Sequence, residues 1–343
     1  MWTETRLNDL LTTPPERMLD DLKRIQGDFT ILGASGKIGP SLALMLKRAL
    51  EKLGDTRTIY AVDRNFDSRT AQRLQDAGIQ TLVCDLLDRT QVQQLPTTPN
   101  VFFLVGHMPS RGEQARSQIW SVSTIAAQNA CEHYRQARFV VMSSGMIYPE
   151  VKPTEGGATE EVIPDPIGDY PMSNLAREQI FSYYAERGLI QAVLYRLNYA
   201  INLRYGVLQD IASAIMEERP VSLAVPLFNC VWQGYVSEII IRSLVLLDAE
   251  DPLVRLNVTG PETASVAETA MLLGDYLGQS VQLTPTEPPA STMYLNHAGY
   301  CHSRFGYPTV SLDTLIRWQA EWILAGGDSL GRPSHFDEHP TRD

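Results

Sequence analysis

The stretch ILGASGKIGP, residues 31–40, constrains the fold more than any other part of the chain. An apolar run, DFTILG (28–33), leads directly into glycines 33, 36 and 39, and the helical pattern PSLALMLKRALEKLG (40–54) follows at once. Glycines between a strand and a helix allow a tight turn. They also let an anion approach the backbone at the positive helix N-terminus. The alternation then continues. TRTIYAVD (56–63), IQTLVCD (79–85), VFFLVG (101–106), RFVVMSSG (138–145) and QAVLYRLN (191–198) read as strands, with helical patterns at 68–78, 117–136 and from 169 onward. Short apolar strands separated by helices mean repeated βαβ units and a parallel sheet covered on both faces.

The expected class is therefore α/β, a Rossmann-like doubly wound parallel sheet with a smaller C-terminal substrate lobe. Residues 1–27 form an N-terminal helical extension, in which Thr13 is placed to cap a helix entered through Pro14 and Pro15, with Met18, Leu19 and Leu22 on one face. Residues 28–205 form the dinucleotide-binding Rossmann domain. Residues 206–330 form the substrate lobe, interleaved with the last sheet elements, and 331–343 a polar tail. Within the lobe, 206–218, 236–249, 265–278 and 311–327 read as helices, 220–227 as extended, and 253–260 as one more strand.

A net charge of −11 argues against a nucleic-acid or acidic-membrane surface. No run of about 18 apolar residues is present, so no membrane span is expected. The charged opening MWTETRLNDL gives no sign of a secretory signal, which points to a cytoplasmic protein. The four cysteines are scattered without a C-x-x-C pair and read as reduced, buried thiols. The sequon at Asn257 is then a chance match. His297, His302, His335 and His339 lack ligand spacing, and no metal is expected.

The second strand ends in Asp63. A carboxylate there can accept hydrogen bonds from both adenosine ribose hydroxyls and repels a 2′-phosphate, favouring NAD over NADP. Arg64 and Lys37 pull toward NADP. The G-x-x-G-x-x-G spacing resembles that of the extended short-chain dehydrogenase/reductase superfamily, the NAD-dependent epimerase/dehydratase family. VCDLLD (83–88) resembles that family's third-strand end, FFLVGH (102–107) its fourth strand and RFVVMSSGMIY (138–148) its fifth. YPMSNLAREQ (170–179) matches its Y-x-x-x-K helix apart from the lysine, and the similarity extends over about 28–325.

The resemblance implies a cofactor site at Gly33, Ser35, Gly36, Lys37, Ile38, Gly39, Asp63, Arg64, Asp85, Leu86, Val105, Gly106 and Asn174. It makes Tyr170 the acid/base and Ser144 the substrate anchor, with Ser143 next to it if the register slips by one. In the family's lysine position stands Asn174, able to hydrogen-bond the nicotinamide ribose but without charge. An ordinary tyrosine titrates near 10, so without a nearby cation a phenolate base lies about 4 kcal/mol uphill at pH 7. Arg177, one turn further on, is turned elsewhere by family geometry. Ser121 stands where the family usually has the asparagine of its proton relay. The N-x-Y-G-P pattern that meets nucleotide-sugar phosphates is matched only loosely, by Asn198 and Tyr199, so a nucleotide sugar is not the default substrate.

Further substrate-site candidates are His107, Asn198 and Trp232, with Gln233 beside it. For His107 the plain alternative is a loop histidine, and for Trp232 packing. Arg204, Arg242 and Arg255 could clamp an anion or form surface ion pairs. Two functions follow. One is an NAD-dependent epimerase/dehydratase-type enzyme or oxidoreductase acting on a sugar, sugar acid or similar polar metabolite. The other is a catalytically impaired NAD(P)-binding sensor. The resemblance also implies a homodimer built on helices 112–136 and 170–187.

Overall fold

The computed structural model describes residues 1–106, 113–286, 290–332 and 334–337. Seven strands form one parallel sheet: β1 (Phe29–Leu32), β2 (Ile59–Asp63), β3 (Gln80–Val83), β4 (Asn100–Phe103), β5 (Arg138–Ser144), β6 (Gln191–Leu197) and β7 (Leu253–Val258). Their order is β7-β6-β5-β4-β1-β2-β3. The chain winds outward from β1 to one edge, returns to β4 beside β1, and winds to the other edge. The reversal between β1 and β4 opens a crevice at the carboxyl ends of the strands, the usual ligand position in such sheets.

Strand periodicity distributes the core to two faces. Phe29 and Ile31 of β1, with Phe102 of β4 and Val140 of β5, pack beneath helices Gly39–Lys52 and Gln233–Arg242. Leu32, Val101, Phe103, Phe139 and Val141 face helices Glu113–His133 and Asp169–Ala185. A second core forms around Ile201, Leu208, Ile211, Phe228, Leu273, Leu315 and Trp322. No helix among the described residues is long and apolar enough to cross a membrane.

The N-terminal extension holds two helices, not one. The first, Glu4–Thr12, is capped by Thr3, whose Oγ1 accepts from the Arg6 amide at 3.2 Å. Thr13 closes this helix by donating its amide to Asp9 O and does not cap the second, which starts at Glu16 with Pro15 in the cap position. Met18, Leu19 and Leu22 are buried in the sheet core as their spacing predicts, whereas Trp2, Leu7 and Leu11 enter the second core. The extension thus joins both cores.

Two other segments depart from the pattern. Of 220–227 only the ends pair, Val221–Ser222 beside Leu283–Thr284 and Leu227–Phe228 against Ala264–Ser265. The helix expected from 236 starts at Gln233 and passes into a 3-10 turn at Ser243–Leu246. The polar tail is anchored over its described part. Ser334 donates its amide and hydroxyl to Asp210 Oδ2, at 2.7 and 2.5 Å, and Phe336 is buried in the second core.

Candidate active site

The crevice at the β1–β4 reversal is a cleft of about 510 Å³. Gly33, Ser35 and Gly36 form one wall, Asp63 and Arg64 leave the end of β2, and Asp85 and Leu86 follow β3. Val105 and Gly106, after β4, close the opposite side. Gly33 has φ +84°, and a Cβ there would stand 2.9 Å from the Leu104 carbonyl carbon and the Val105 nitrogen. Gly39 is equally constrained, since a Cβ would approach Ala34 O to 2.3 Å. Two of the three glycines therefore bring loop, helix and neighbouring strand together. A Cβ on Gly36, by contrast, would meet only Gly33 O, at 3.4 Å, and Gly36 faces the cleft.

Asp63 ties this wall to β2. Its Oδ2 accepts from the Ser35 amide at 2.9 Å, while among the described residues Oδ1 has only the Asn65 amide at 3.4 Å. Asp85 Oδ1 is taken by the Leu87 amide. Lys37, Ile38 and Gly39 stand in the same loop but are not part of the cleft lining. Lys37 instead lays its ammonium over the Tyr205 ring, 3.2 Å from the centroid, and burial, reinforced by Arg332, brings it down to about 8. Gln233 braces the loop by donating to Lys37 O and Ser41 Oγ. Sequence reasoning offered no signal for Arg332, which reaches the cleft from the tail, or for Val122 and Ala126 of helix Glu113–His133.

Beside the cleft, β5 ends in Ser143 and Ser144 and helix Asp169–Ala185 begins. Side chains alternate along a strand, and the two serines accordingly have different fates. Ser143 Oγ donates to Glu178 Oε1 at 2.6 Å in the interior. Ser144 Oγ caps the turn Gly145–Ile147 by accepting from the Met146 amide at 3.1 Å. Its own hydroxyl proton has no acceptor among the described residues. Tyr170 lies half-buried in the first turn of the helix, and its hydroxyl has no partner among the described residues. Asp169 beside it is held low by Trp120 Nε1 at 2.9 Å and Arg116 at 2.5 Å.

Asn174 is buried and engaged within its own helix: Nδ2 donates to Tyr170 O at 2.8 Å, and Oδ1 accepts from Arg177 at 3.1 Å. Arg177 does not turn away from the site. It runs inward beneath Asn174, also donating to Met142 O at 2.7 Å and Ser123 Oγ at 2.9 Å. On the helix expected to carry the relay, Ser121 bonds among the described residues to Gln118 of its own turn, and Ser123 is the serine that meets helix Asp169–Ala185.

Below these groups lies a closed ionic network. Glu178 grips Arg196 with two bonds, 3.0 and 2.7 Å, at 1% and 2% side-chain exposure. Arg196 donates to Tyr148 Oη, which donates to Asn257 Oδ1. The carboxylate and the phenol raise the already high value of Arg196 despite its burial.

On the lobe side, Asn198 is buried and donates to Asn229 Oδ1 at 2.6 Å, and Asn229 in turn donates to Asn296 O. The Asn296 amide presses on Gly145, where a Cβ would stand 2.6 Å from Oδ1, and its Nδ2 is buried without a partner. Among the described residues this leaves an unused, buried donor against Gly145, the residue after Ser144. Trp232 is buried in the second core, with Trp318 edge-on at 5.6 Å. Arg242 pairs with Asp21 and Glu238, and Arg204 faces Glu4 and Asn8. His107 lies outside the described residues.

A family model, the NAD dependent epimerase/dehydratase family, matches residues 29–204. Comparison with curated proteins returned no match. Among solved structures, the chain is similar to UDP-glucuronic acid 4-epimerase from Bacillus cereus in complex with NAD, with TM-score 0.69 and 18% identity over 87% of this chain and 99% of that one. It is similar to UDP-glucose 4-epimerase from Thermus thermophilus in complex with NAD, with TM-score 0.68 and 20% identity over 86% and 98%. UDP-glucose 4-epimerase from Thermotoga maritima with UDP-glucose gives TM-score 0.68 and 15% identity over 87% and 99%. At these identities the likeness is one of fold.

Proposed function

The chain belongs to the NAD dependent epimerase/dehydratase family, and from that premise we propose an NAD-dependent enzyme acting at a hydroxyl or carbonyl carbon of a sugar, sugar acid or similar polar metabolite. The observation that carries the reading is that two hydroxyls keep a proton uncommitted among the described residues, Ser144 at the end of β5 and Tyr170 in the first turn of helix Asp169–Ala185, in a sheet whose strand ends form a glycine-walled cleft. A decayed site has no reason to keep two hydroxyls able to donate at these two positions.

The cleft residues fit a dinucleotide. Gly36 leaves open the space a side chain would fill, at the N-terminus of a helix suited to phosphate. Asp63 keeps Oδ1 available for a ribose hydroxyl, which supports NAD over NADP. Leu86 would offer an apolar contact for the base, and Val105 and Gly106, also in the cleft lining, would hold the nicotinamide end. Bound there, NAD supplies a hydride acceptor and donor. Tyr170 would take the proton of the substrate hydroxyl or return it, and Ser144 would donate a hydrogen bond to the same oxygen and fix its position. Asn296 Nδ2 is a second donor on the lobe side. The likeness to UDP-sugar epimerases supports a sugar substrate. The family resemblance adds a homodimer on helices Glu113–His133 and Asp169–Ala185, where Ile125 and Tyr183 are 48% and 51% exposed; the four buried, unbridged cysteines support a reducing, cytoplasmic location.

Calorimetry with NAD, followed by incubation with UDP-glucose, UDP-glucuronic acid and free sugar acids, tests the reading. Binding plus a new epimer, dehydration product or NADH is expected, and abolished in Tyr170→Phe. Absence of dinucleotide binding overturns it. Binding without turnover across the panel favours a sensor.

A further inference from the structure

Arg177 presents a physical problem that the fold itself does not resolve. It is 2% exposed, and its guanidinium donates to a carbonyl, an amide oxygen and a hydroxyl, with no carboxylate among them. Its Nε is buried without a partner among the described residues. The adjacent carboxylate, Glu178, already serves Arg196 and Ser143 with both oxygens. A desolvated cation lacking a directly bonded anion is costly, and burial brings Arg177 down to about 10. Among the groups whose negative charge would offset that burial, Tyr170 acts most strongly, ahead of Glu178. Tyr170, Asn174 and Arg177 fall at i, i+4 and i+7, on one face of the helix. The Asn174 amide joins them, donating to the Tyr170 carbonyl and accepting from the guanidinium.

We propose that Arg177 is the positioning cation of this site, favouring the ionised Tyr170 hydroxyl from seven residues along the helix, in place of a lysine at four. The inference rests on Tyr170 being the acid/base. Asn174 is then a bridge: a short neutral residue is needed where a lysine would meet Arg177 head-on. The other charged or titratable groups around the pair are fixed elsewhere. Tyr205, which Tyr170, Asp210 and Arg332 influence electrostatically, carries Lys37 on its ring. Asp169 is held by Arg116 and Trp120, and Glu178 by Arg196. From β4 the Phe103 ring lies 5.7 Å from the guanidinium.

Tyrosinate absorbance, titrated in the purified protein with and without Tyr170→Phe, isolates the Tyr170 step and needs no substrate. In Arg177→Met that step is expected to move up by one pH unit or more, about a tenfold change in ionisation constant. Arg177→Lys should hold it near the parent position. The double variant Asn174→Lys, Arg177→Met moves the charge to the lysine position and should bring the step back down. Should Arg177→Met not fold, the lysine variant and the double variant decide. A step that fails to follow the charge overturns the proposal, even if turnover is lost. A step that follows it while the protein turns over no substrate upholds the Arg177 assignment, and it is the acid/base reading that fails.

Discussion

Ser143 Oγ donates to Glu178 Oε1 at 2.6 Å, with both groups inside the protein, one residue before a serine whose proton is uncommitted. The two hydroxyls therefore predict different phenotypes. Ser143→Ala leaves a buried carboxylate oxygen short of a donor and should lower stability by about 1–3 kcal/mol in urea unfolding, with kcat little changed. Ser144→Ala should leave the urea midpoint near the parent and reduce kcat by about tenfold to a hundredfold, on the scale of losing one hydrogen bond to the reacting oxygen. Reversed behaviour would mean that the serine register is wrong.

Glu178 is a shared acceptor for Ser143 and Arg196 and the nearest carboxylate in sequence to Arg177. Replacing it strands a buried guanidinium. Glu178→Gln should therefore cost about 3–5 kcal/mol in chemical unfolding. Adding Arg196→Met removes the stranded charge and should recover part of that loss. A double variant no more stable than Glu178→Gln would show that the packing around Arg196, and not its charge, governs the site.

Asp63 holds the glycine loop through Ser35, lines the cleft, and has on its other oxygen the Asn65 amide at 3.4 Å. Asp63→Ala removes charge-assisted bonds worth about 1.5–3 kcal/mol, so NAD affinity should fall by about tenfold to a hundredfold. Arg64 lines the same cleft. With the carboxylate gone, NADP affinity should fall less than NAD affinity, or rise. Equal losses for both dinucleotides in calorimetry would place the ribose away from Asp63.

Much of this architecture is written locally in the chain. The strand–glycine–helix junction and the five later apolar runs depend on near-neighbour periodicity, and the sheet follows from them. What escaped depends on partners distant in sequence. Helix Glu4–Thr12 is short and polar by composition, and its buried Leu7 and Leu11 have meaning only in the second core, built from residues beyond 200, while Trp2 before it meets Trp318 and Trp322. The tail reads as polar until Asp210 and the second core supply partners for Ser334 and Phe336. Arg177 illustrates the limit best. Its spacing from Tyr170 was visible, but whether an arginine turns in or out depends on the Met142 carbonyl and Ser123, neither of which a helical period can reveal.

Lys37 gives a pH signature with a definite sign. Burial, the leading cause, lowers it to about 8 in the folded chain, with Arg332 adding to the effect, whereas an unfolded lysine titrates near 10.4. Between those values the unfolded chain holds more protons, so this group makes stability rise with pH across that window. Below about 8 its penalty is fully present, partly offset by the Tyr205 ring. Lys37→Met should therefore stabilise the protein most near pH 7, with the advantage shrinking toward pH 10. Urea midpoints of parent and variant at the two pH values measure this directly. A pH-independent difference would mean that the Lys37 ammonium is solvated in the folded state and that the glycine loop is more open than the contact with Tyr205 implies.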